Sequence, residues 1–324
     1  LQEGFDWACV ESSSIGLDQG RLRCVRMEAA AYTNLSRDHL DYHKTMEAYV
    51  RAKQRLASQP GLKHVVVNQD DEQAVAFGEV ARSMGIPVTS VGESKGARYR
   101  IEQLTVDQQA LSFVLNGMTI QTHLVGQFNA HNLAMAAAVL CECGVRKFQE
   151  LVPYFSELTA APGRMQLVHR SPAVVVDYAH TPDALEKALQ ALVPMTQADH
   201  SKGHLRVLFG CGGDRDPGKR PLMTKVAVKH ADWIYLTSDN PRSEKADNII
   251  KDMLKGVEAQ EEHKVVCEVD RARAIERCLS ESQAHDVILL AGKGHETSQL
   301  IGKTVFPHSD LECVQNFYLS RGQA

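Results

Sequence analysis

The sequence is short of several features, and each shortage excludes a class of protein. Its 8 cysteines are scattered and too sparse for a disulfide scaffold, which favours a reducing cytosol. The longest apolar runs, such as Val287–Ala291, are strand-length and well below the ~20 residues of a membrane span. No basic segment followed by an apolar one opens the chain, so no signal peptide is expected. We therefore predict a cytoplasmic protein without membrane association.

A strong excess of positive charge is also lacking. Lysine and arginine total 36 against 40 acidic residues, and the formal net charge is −4. There is no Lys/Arg-rich run and no zinc-type Cys/His spacing, so we expect no nucleic-acid partner. The 324 residues, 44% of them hydrophobic, are enough for two ordinary globular domains. We expect a monomer that binds small molecules.

The second half of the chain alternates strand-length apolar runs with helical patterns. The runs are Ala173–Val176, Leu205–Phe209, Trp233–Leu236, Val265–Val269 and Val287–Leu290. Continuous apolar runs are typical of parallel strands that are buried on both faces. Thr181-Pro182-Asp183 predicts a helix start, and Asp270 and Ser309 predict further N-caps. This alternation predicts an α/β fold with a doubly wound, Rossmann-like sheet.

The first half is more mixed. Asn116-Gly117 predicts a type I′ hairpin turn, and Ala161-Pro162-Gly163 places a domain boundary between 1–163 and 164–324. Helices are predicted at Thr45–Ser58 and Asn129–Cys143. Strands are predicted at Asp6–Val10, His64–Val67, Pro87–Val91, Tyr99–Val106, Leu111–Leu115 and Met118–Val125.

Segments that mix glycine with charge follow four of the predicted strands in the second half. They are 177–180, 210–216, 239–242 and 292–296. Ligands of open parallel sheets bind at the carboxyl ends of the strands. Arg215 and Arg242 can each bind a carboxylate, and Asp239 and Glu296 can pair with ammonium groups. These residues predict a pocket for a small, doubly zwitterionic amino acid, unless they pair with one another to hold the loops.

At this point the motifs resemble those of a known family. They are Asp-Tyr-Ala-His-Thr-Pro (177–182), Gly-Gly-Asp-Arg-Asp (212–216), Asp-Asn-Pro-Arg (239–242), Gly-Lys-Gly-His-Glu (292–296), Glu11-Ser12-Ser13, the run 33–43, Phe128-Asn129 with Asn132, and Pro162-Gly163-Arg164-Met165. In this order and spacing they resemble the MurE group of the Mur ligases, which joins an amino acid to UDP-MurNAc-L-Ala-D-Glu in bacterial cell-wall synthesis. The first half then corresponds to the central nucleotide-binding domain, truncated at its N-terminus.

The resemblance implies ATP and Mg²⁺ as cofactors. Glu11 and His39 resemble the magnesium-binding pair, and Lys53 resembles a lysine that is carbamylated in the family and helps to position the metal. Carboxylate oxygen is a natural ligand for Mg²⁺, whereas histidine is less usual. We take these three as the catalytic and metal-site candidates. The nucleotide-binding candidates are Asn129, Asn132, Arg164, Asp177 and His180.

The resemblance also implies which residues contact the substrates. In diaminopimelate-adding members, Asp-Asn-Pro-Arg is the signature of the amino-acid pocket, and its arginine meets the distal carboxylate. The pocket candidates are Arg215, Asp239, Asn240, Arg242, Gly292 and Glu296. Candidates for the UDP-MurNAc-dipeptide are Ser12, Ser13, Gln19 and Arg21, although Ser14 stands where members commonly have histidine. The implied reaction is ATP-dependent addition of meso-diaminopimelate to D-Glu through an acyl phosphate.

Full-length members carry an N-terminal domain and a Gly-rich phosphate loop, and neither is recognisable here. Gly292-Lys293-Gly294-His295 has the wrong glycine spacing, and no Ser or Thr follows its lysine. Because the chain also opens on Leu1, we expect a segment of a longer protein that is weakly active or inactive alone. Ligation by residues 1–324 that depends on ATP and diaminopimelate would refute this expectation.

Three alternatives stay open at this point. A lysine-adding Mur ligase is disfavoured by the Asp-Asn-Pro-Arg signature, because lysine lacks the carboxylate that this arginine would meet. A folylpolyglutamate synthase is disfavoured by the match at 33–43 and 292–296. A non-catalytic relative that binds an amino acid or a nucleotide is favoured by the missing phosphate loop, but it would not need the metal and lysine positions.

Overall fold

The computed structural model describes residues 6–35, 39–106, 111–200 and 203–322. Two compact units divide the chain. The first comprises Leu1–Leu104, Phe113–Ile120 and Asn129–Phe155, and the second comprises Thr105–Ser112, Gln121–Phe128 and Ser156–Ala324. The domain boundary predicted after residue 163 stays a prediction. Within the described ranges, no helix is both long enough and apolar enough to cross a membrane.

The sheet of the first part of the chain follows sequence order. It consists of β1 (Ala29–Tyr32), β2 (His64–Asn68), β3 (Val88–Gly92), β4 (Tyr99–Val106), β5 (Leu111–Leu115) and β6 (Met118–Thr122). The β1–β2, β2–β3 and β3–β4 pairs are parallel. The helices are α1 (Ser14–Asp18), α2 (Leu40–His43), α3 (Met46–Gln54), α4 (Ala74–Ser83), α5 (Phe128–Glu142) and α6 (Phe148–Leu151), with 3₁₀ turns at Arg55–Ser58 and Val152–Ser156.

Most of the elements predicted for this part are present. Asn116 (φ 49°) and Gly117 (φ 80°) both have positive φ, which confirms the type I′ turn between β5 and β6. The strand predicted at Asp6–Val10 is wrong, because these residues form neither strand nor helix. Without a neighbouring strand to cover them, the side chains of Trp7 and Val10 are more than half exposed. The strand β1 was not predicted, since its four residues are mostly alanine and only pairing with β2 makes them a strand.

The second unit contains the doubly wound sheet. Its strands stand in the order β11-β10-β9-β12-β8-β7, and all neighbouring pairs are parallel except β7–β8. The strands are β7 (Gln166–Arg170), β8 (Ala173–Asp177), β9 (Leu205–Phe209), β10 (Trp233–Leu236), β11 (Val265–Cys267) and β12 (Val287–Ala291), followed by the hairpin β13 (Ser298–Ile301) and β14 (Thr304–Pro307). The helices are α7 (Pro182–Leu192), α8 (Lys219–His230), α9 (Ala246–Leu254), α10 (Arg271–Ser280) and α11 (Asp310–Leu319), with 3₁₀ turns at Val193–His200 and Ala259–Lys264.

Two apolar layers explain why these strands are apolar throughout. One cluster places Val175 and Leu289 against side chains of α7, α8 and α9. The other places their chain neighbours Val174 and Ile288 against α10 and α11. Because successive strand residues point to opposite faces, both faces of the sheet are buried. The α/β fold class and the doubly wound sheet are thereby confirmed.

Three helix starts predicted in the second unit are also confirmed. The Thr181 side chain accepts a hydrogen bond from Ala184 N at the start of α7, with Pro182 in the first helical position. Asp270 and Ser309 cap α10 and α11 in the same way. These caps orient the helices that follow the strand ends.

Candidate functional site

The four segments that combine glycine with charge lie at one edge of the second unit's sheet. The strands β10, β9, β12 and β8 are adjacent and parallel, so their carboxyl ends meet there. Neighbouring segments are hydrogen-bonded directly: Gly213 N donates to Asn240 O at 2.9 Å, and Gly292 N donates to Asp177 O at 3.1 Å. The predicted convergence of these segments is therefore confirmed.

Arg242 has a backbone conformation that a side chain rarely adopts. Its φ is 51°, in the left-handed region, where a residue other than glycine is strained unless its surroundings hold it. The hairpin supplies that support, because Arg242 N donates to Leu300 O at 3.0 Å and Gly302 N donates to Arg242 O at 2.7 Å. Nη1 of Arg242 donates to Gly213 O at 2.8 Å and more weakly to Asn240 O at 3.4 Å.

The guanidinium of Arg242 is thus oriented by backbone carbonyl groups. It forms no ion pair with a carboxylate in the part of the chain that the structure describes. A guanidinium has five N–H donors, so most of its capacity remains for a ligand. A half-buried arginine held in this way is suited to bind a carboxylate.

Lys293 lies at the centre of the site, and the sequence reasoning did not select it. Its side chain is fully buried. Its Nζ donates to Ser298 O at 2.7 Å, Glu296 Oε2 at 3.0 Å and Asn240 Oδ1 at 3.4 Å, and lies 3.7 Å from Asp239 Oδ1. The only signal in the sequence was a lysine between two glycines at the end of a buried strand. The glycine spacing excludes a phosphate loop, and in agreement the segment leads into β13 and not into a helix.

The carboxylates of the site are paired inside the protein. Burial alone would raise the pKa of Glu296, but hydrogen bonds from Lys293 and Asn240 hold the pKa of this carboxyl below its usual range. Asp239 is buried beside Lys293 and Gly292. The φ of Gly292 is 103°, and a Cβ added there would lie 3.3 Å from Asp239 Oδ2. Both acids are thus paired, but their partner is Lys293 and not Arg215 or Arg242, as the alternative had supposed.

Arg215 differs from the other pocket candidates because it is exposed. The loop that carries it is nevertheless fixed. Asp214 accepts hydrogen bonds from Ser243 Oγ at 2.5 Å and Ser243 N at 3.2 Å, and these hydrogen bonds hold the pKa of Asp214 below its usual range. The structure thus places Arg215 on a tethered loop at the same strand edge as Arg242, and its contact with a ligand stays a prediction.

The nucleotide-binding candidates of the second unit gather around Tyr178, a residue that sequence reasoning did not select. The guanidinium carbon of Arg164 lies 5.0 Å from the centre of its ring. His180 Nδ1 is 2.9 Å from Tyr178 O, and the two rings are 4.8 Å apart. Asp177 accepts hydrogen bonds from Met165 N at 2.7 Å and Ala179 N at 2.8 Å. These contacts bring Arg164, Asp177 and His180 into one cluster.

In the first unit, the candidates for metal and dipeptide binding lie around α1 and α3. Glu11 is exposed just before α1, and Ser13 caps that helix by accepting from Gly16 N at 3.1 Å. Lys53, near the end of α3, donates to Ser12 O at 3.5 Å. His39 lies beside α3, with its ring 6.0 Å from that of Tyr49.

The remaining candidates for the dipeptide, Gln19 and Arg21, follow α1. Gln19 is the C-cap of α1, and the side chain of Arg21 is exposed. His43 was missed: it is buried, its Nε2 lies 2.9 Å from Ser14 Oγ, and its ring stacks on that of Tyr49. Ser14, the position that departs from the family pattern, thus has a structural partner.

The described residues contain no group of three or more His, Cys, Asp or Glu side chains placed to hold a metal ion. Three residues of the 33–43 motif, Ser36, Arg37 and Asp38, lie outside the described residues. Asn129 and Asn132 share a face of α5, and Asn132 Nδ2 donates to Asn129 Oδ1 at 3.1 Å. Their contact with a nucleotide stays a prediction.

Comparison with known protein families finds two matching models. Residues 1–140 match the Mur ligase middle domain, and residues 163–294 match the Mur ligase glutamate ligase domain. Together these two models account for most of the chain.

Curated relatives match over nearly the whole chain. The UDP-N-acetylmuramoyl-L-alanyl-D-glutamate--2,6-diaminopimelate ligase of Vibrio vulnificus (strain YJ016) is 42% identical over 97% of the chain, which covers 63% of that relative. The relative with the same name from Chromobacterium violaceum is 43% identical over 99% of the chain and 65% of its own length. The chain therefore spans less than two thirds of the length of these relatives.

Solved structures agree with this result. A structure of UDP-N-acetylmuramoyl-L-alanyl-D-glutamate--2,6-diaminopimelate ligase is similar, with a TM-score of 0.74 and 37% identity. The match covers all of this chain and 66% of the chain in that structure. The E. coli FolC structure in complex with ADP has a TM-score of 0.59 at 20% identity, covering 91% of this chain and 63% of FolC. At that identity the second likeness shows the fold alone.

Proposed function

Because the chain belongs to the Mur ligase family, we propose that it forms the amino-acid-binding part of an ATP-dependent ligase. The reaction is addition of meso-diaminopimelate to the D-Glu of UDP-MurNAc-L-Ala-D-Glu, in peptidoglycan synthesis. Curated relatives that carry this activity in their names support the proposal. We further expect the protein to act in the cytoplasm as a monomer, with small molecules as its only partners.

One observation carries the choice of amino acid. Arg242 presents its guanidinium beside the Lys293–Glu296 cluster, and carbonyl groups orient it without neutralising its charge. One end of a zwitterionic ligand needs a cation for its carboxylate, and the ammonium group needs a carboxylate such as Glu296 or Asp239. Meso-diaminopimelate has an ammonium and a carboxylate at each end, so it can use both halves of the site.

The same arrangement disfavours L-lysine. Lysine has no distal carboxylate, so its binding would cover Arg242 and remove water from the guanidinium without supplying a partner. Leaving a desolvated charge unpaired costs several kcal/mol, on the order of 3–5. Sites that hydrogen-bond a substrate group reject analogues lacking that group strongly for this reason.

We propose that the nucleotide and metal candidates bind ATP and Mg²⁺. In the first unit, Asn129 and Asn132 are the candidates for contact with the nucleotide. In the second unit, the candidates are Arg164, Asp177 and His180 around Tyr178. Glu11 and His39 would hold Mg²⁺. By chemistry, the carboxylate of Glu11 suits Mg²⁺, and a carbamylated Lys53 would supply further oxygen, since an ammonium cannot be a ligand. The bound metal would neutralise phosphate charge during phosphoryl transfer.

In the proposed reaction, the chain's own residues orient the reactants. An oxygen of the D-Glu carboxylate would attack the γ-phosphorus of ATP, and ADP would leave, giving an acyl phosphate; Arg164 would offer positive charge to the phosphates. The pocket holds diaminopimelate through Arg242 at its distal carboxylate, while Asp239, Asn240 and Glu296 contact its polar groups. The uncharged amine would then attack the acyl carbon, phosphate would leave, and the proton of the amine nitrogen would pass to solvent. Positioning of this kind accounts for a large part of the catalysis of such transfers.

Calorimetric titration of the purified chain with meso-diaminopimelate and, separately, with L-lysine tests the proposal. We expect binding of meso-diaminopimelate alone, and loss of that binding in Arg242→Ala. The control is Arg277→Ala in α10, which removes a half-exposed arginine paired with Glu281 outside the site. Equal affinity for lysine, or unchanged binding by Arg242→Ala, would contradict the assignment of the amino acid. Binding of neither would contradict the claim that this chain forms a working pocket.

A further inference from the structure

The buried position of Lys293 is unusual for a lysine. Lysine is almost never fully buried unless it is paired, because removing an ammonium group from water is costly. Here the loss of water is compensated by three oxygen acceptors and a fourth oxygen within ion-pair distance. Two of those oxygens belong to Asn240 and Glu296, which we place in the amino-acid pocket.

The contacts of Lys293 fix the orientation of both pocket side chains. Its Nζ donates a hydrogen bond to Oδ1 of Asn240, and that oxygen also accepts a hydrogen bond from Leu300 N at 2.8 Å. The amide nitrogen of Asn240 is then directed to Glu296 Oε2 at 3.0 Å. Asn240 and Lys293 both donate to Oε2 of Glu296, so within the described residues Oε1 remains available to a ligand. The Glu296 side chain is 32% exposed, which gives a ligand access to it.

Lys293 also sets the charge of the pocket. Among its buried and half-buried groups, Asp239 and Glu296 contribute two negative charges, and Arg242 contributes one positive charge. The exposed Arg215 is offset by the opposite charge of its chain neighbour Asp214. The nearby Arg271 is already neutralised by Asp310, at 2.6 Å. With the charge of Lys293 the set sums to zero, and without it the set would be −1. Meso-diaminopimelate has no net charge near neutral pH, whereas L-lysine carries +1.

We infer that Lys293 is a positioning residue that determines specificity, by orienting Asn240 and Glu296 and by balancing the pocket for a ligand without net charge. The inference deepens the proposed function and rests on it. It assigns the rejection of lysine to two residues. Arg242 is left without a partner when lysine binds, and Lys293 repels the additional positive charge.

The test compares affinities for meso-diaminopimelate and L-lysine in Lys293→Met, Lys293→Arg and a matched control. Lys303→Met is the control, because Lys303 is exposed in the turn between β13 and β14 of the same unit. In Lys293→Met the net charge of the pocket becomes −1, which favours the cationic lysine. We therefore expect the preference for diaminopimelate to fall at least about tenfold. Lys293→Arg keeps the positive charge and should keep the preference, even if both affinities weaken. An unchanged preference in Lys293→Met would overturn the inference.

Loss of folding in Lys293→Met is covered by a second variant. Lys293→Met with Glu296→Gln removes one charge of each sign, so it should fold, as judged by circular dichroism, and still bind diaminopimelate more weakly than Glu296→Gln alone. Equal binding by these two variants would contradict a role for Lys293 beyond pairing with Glu296.

A measurement without ligand separates this inference from the proposed function. Carbon-13 NMR of the Glu296 carboxyl should show a higher pKa in Lys293→Met, which lacks the positive charge, than in the wild type. The pKa in Lys303→Met should match the wild type. If wild type binds no amino acid but the pKa of Glu296 rises as expected, the proposed function fails while the positioning role stands. If the pKa of Glu296 does not change, the positioning role itself is wrong.

Discussion

Gly213 and Arg242 show how single positions control the geometry of the site. The left-handed backbone of Arg242 directs its side chain toward the carbonyl groups of 213 and 240. Gly213 lets the two loops approach, because a Cβ added there would overlap the carbonyl group of Pro241. The φ of Gly213 is ordinary, so the requirement for glycine is the close approach alone.

Gly213→Ala should therefore destabilise the protein and weaken amino-acid binding together. Displacing the Pro241 carbonyl group is an overpacking defect that costs about 1–3 kcal/mol. Gly96→Ala is the matched control, since its Cβ would meet only the end of the Gln69 side chain. Both variants change the unfolded chain in the same way. Urea unfolding measures the stability difference, and equal free energies of unfolding in the two variants would contradict the steric argument.

Among the elements, the helix caps depend on local contacts, whereas the β13–β14 hairpin supports the site through contacts far apart in the sequence. The caps at Thr181, Asp270 and Ser309 depend on residues within one turn, so the sequence predicts them. The hairpin supports the site from a distance: Gln299 Nε2 donates to Asp239 O at 2.5 Å and Ser238 Oγ at 2.8 Å. Nothing near residue 299 in the sequence indicates that contact.

Thr181→Ala should lower the free energy of unfolding by about 1 kcal/mol, because it leaves a helix N–H group without its acceptor. Thr181→Ser retains an oxygen at the same position and should keep most of the wild-type stability. Thermal unfolding of the three proteins checks the prediction. If the alanine and serine variants have the same melting temperature, the cap does not contribute to the stability of α7.

In the molecule as a whole, a buried ion pair joins α10, α11 and β12 of the second unit. Arg271 donates to both oxygens of Asp310, at 2.8 and 2.6 Å, and to Ala291 O at 2.9 Å. Burial alone would raise the pKa of Asp310, but Arg271 and His308 outweigh it and hold the pKa well below its usual range. A carboxyl whose pKa is depressed by folding stabilises the protein above its unfolded pKa, and this stabilisation is lost as pH falls.

The wild-type free energy of unfolding should accordingly decrease as the pH is lowered from about 5 to about 2. Asp310→Asn should have a shallower dependence in that range and be less stable at neutral pH by about 3–5 kcal/mol, because Arg271 keeps a buried, unpaired charge. Asp183→Asn, which breaks the exposed pair with Lys187, is the control and should change stability by less than about 0.5 kcal/mol. Chemical denaturation across this pH range measures all three proteins, and parallel curves for wild type and Asp310→Asn would contradict the assignment.

The candidate site could be predicted only in part. Asp239, Arg242 and Glu296 were recognisable because charge beside glycine follows buried strands, and parallel strands bring such segments to one edge. Lys293 was overlooked because its role depends on Asn240, which is 53 residues away in the chain. Tyr178 was overlooked because an aromatic residue after a strand is more commonly part of a core.

The sequence by itself determined what depends on near neighbours and on periodicity. It determined the buried parallel strands, the helix caps, the type I′ turn at Asn116-Gly117, and the family motifs. Only the tertiary structure decided that Ala29–Tyr32 pairs with β2, that Asp6–Val10 forms no strand, and that Arg242 is left-handed. It also decided that Lys293, not Arg242, pairs with Glu296. The reason is physical: local hydrogen bonds and amphipathic patterns involve adjacent residues, whereas pairing, burial and strain depend on segments that meet only in the folded chain.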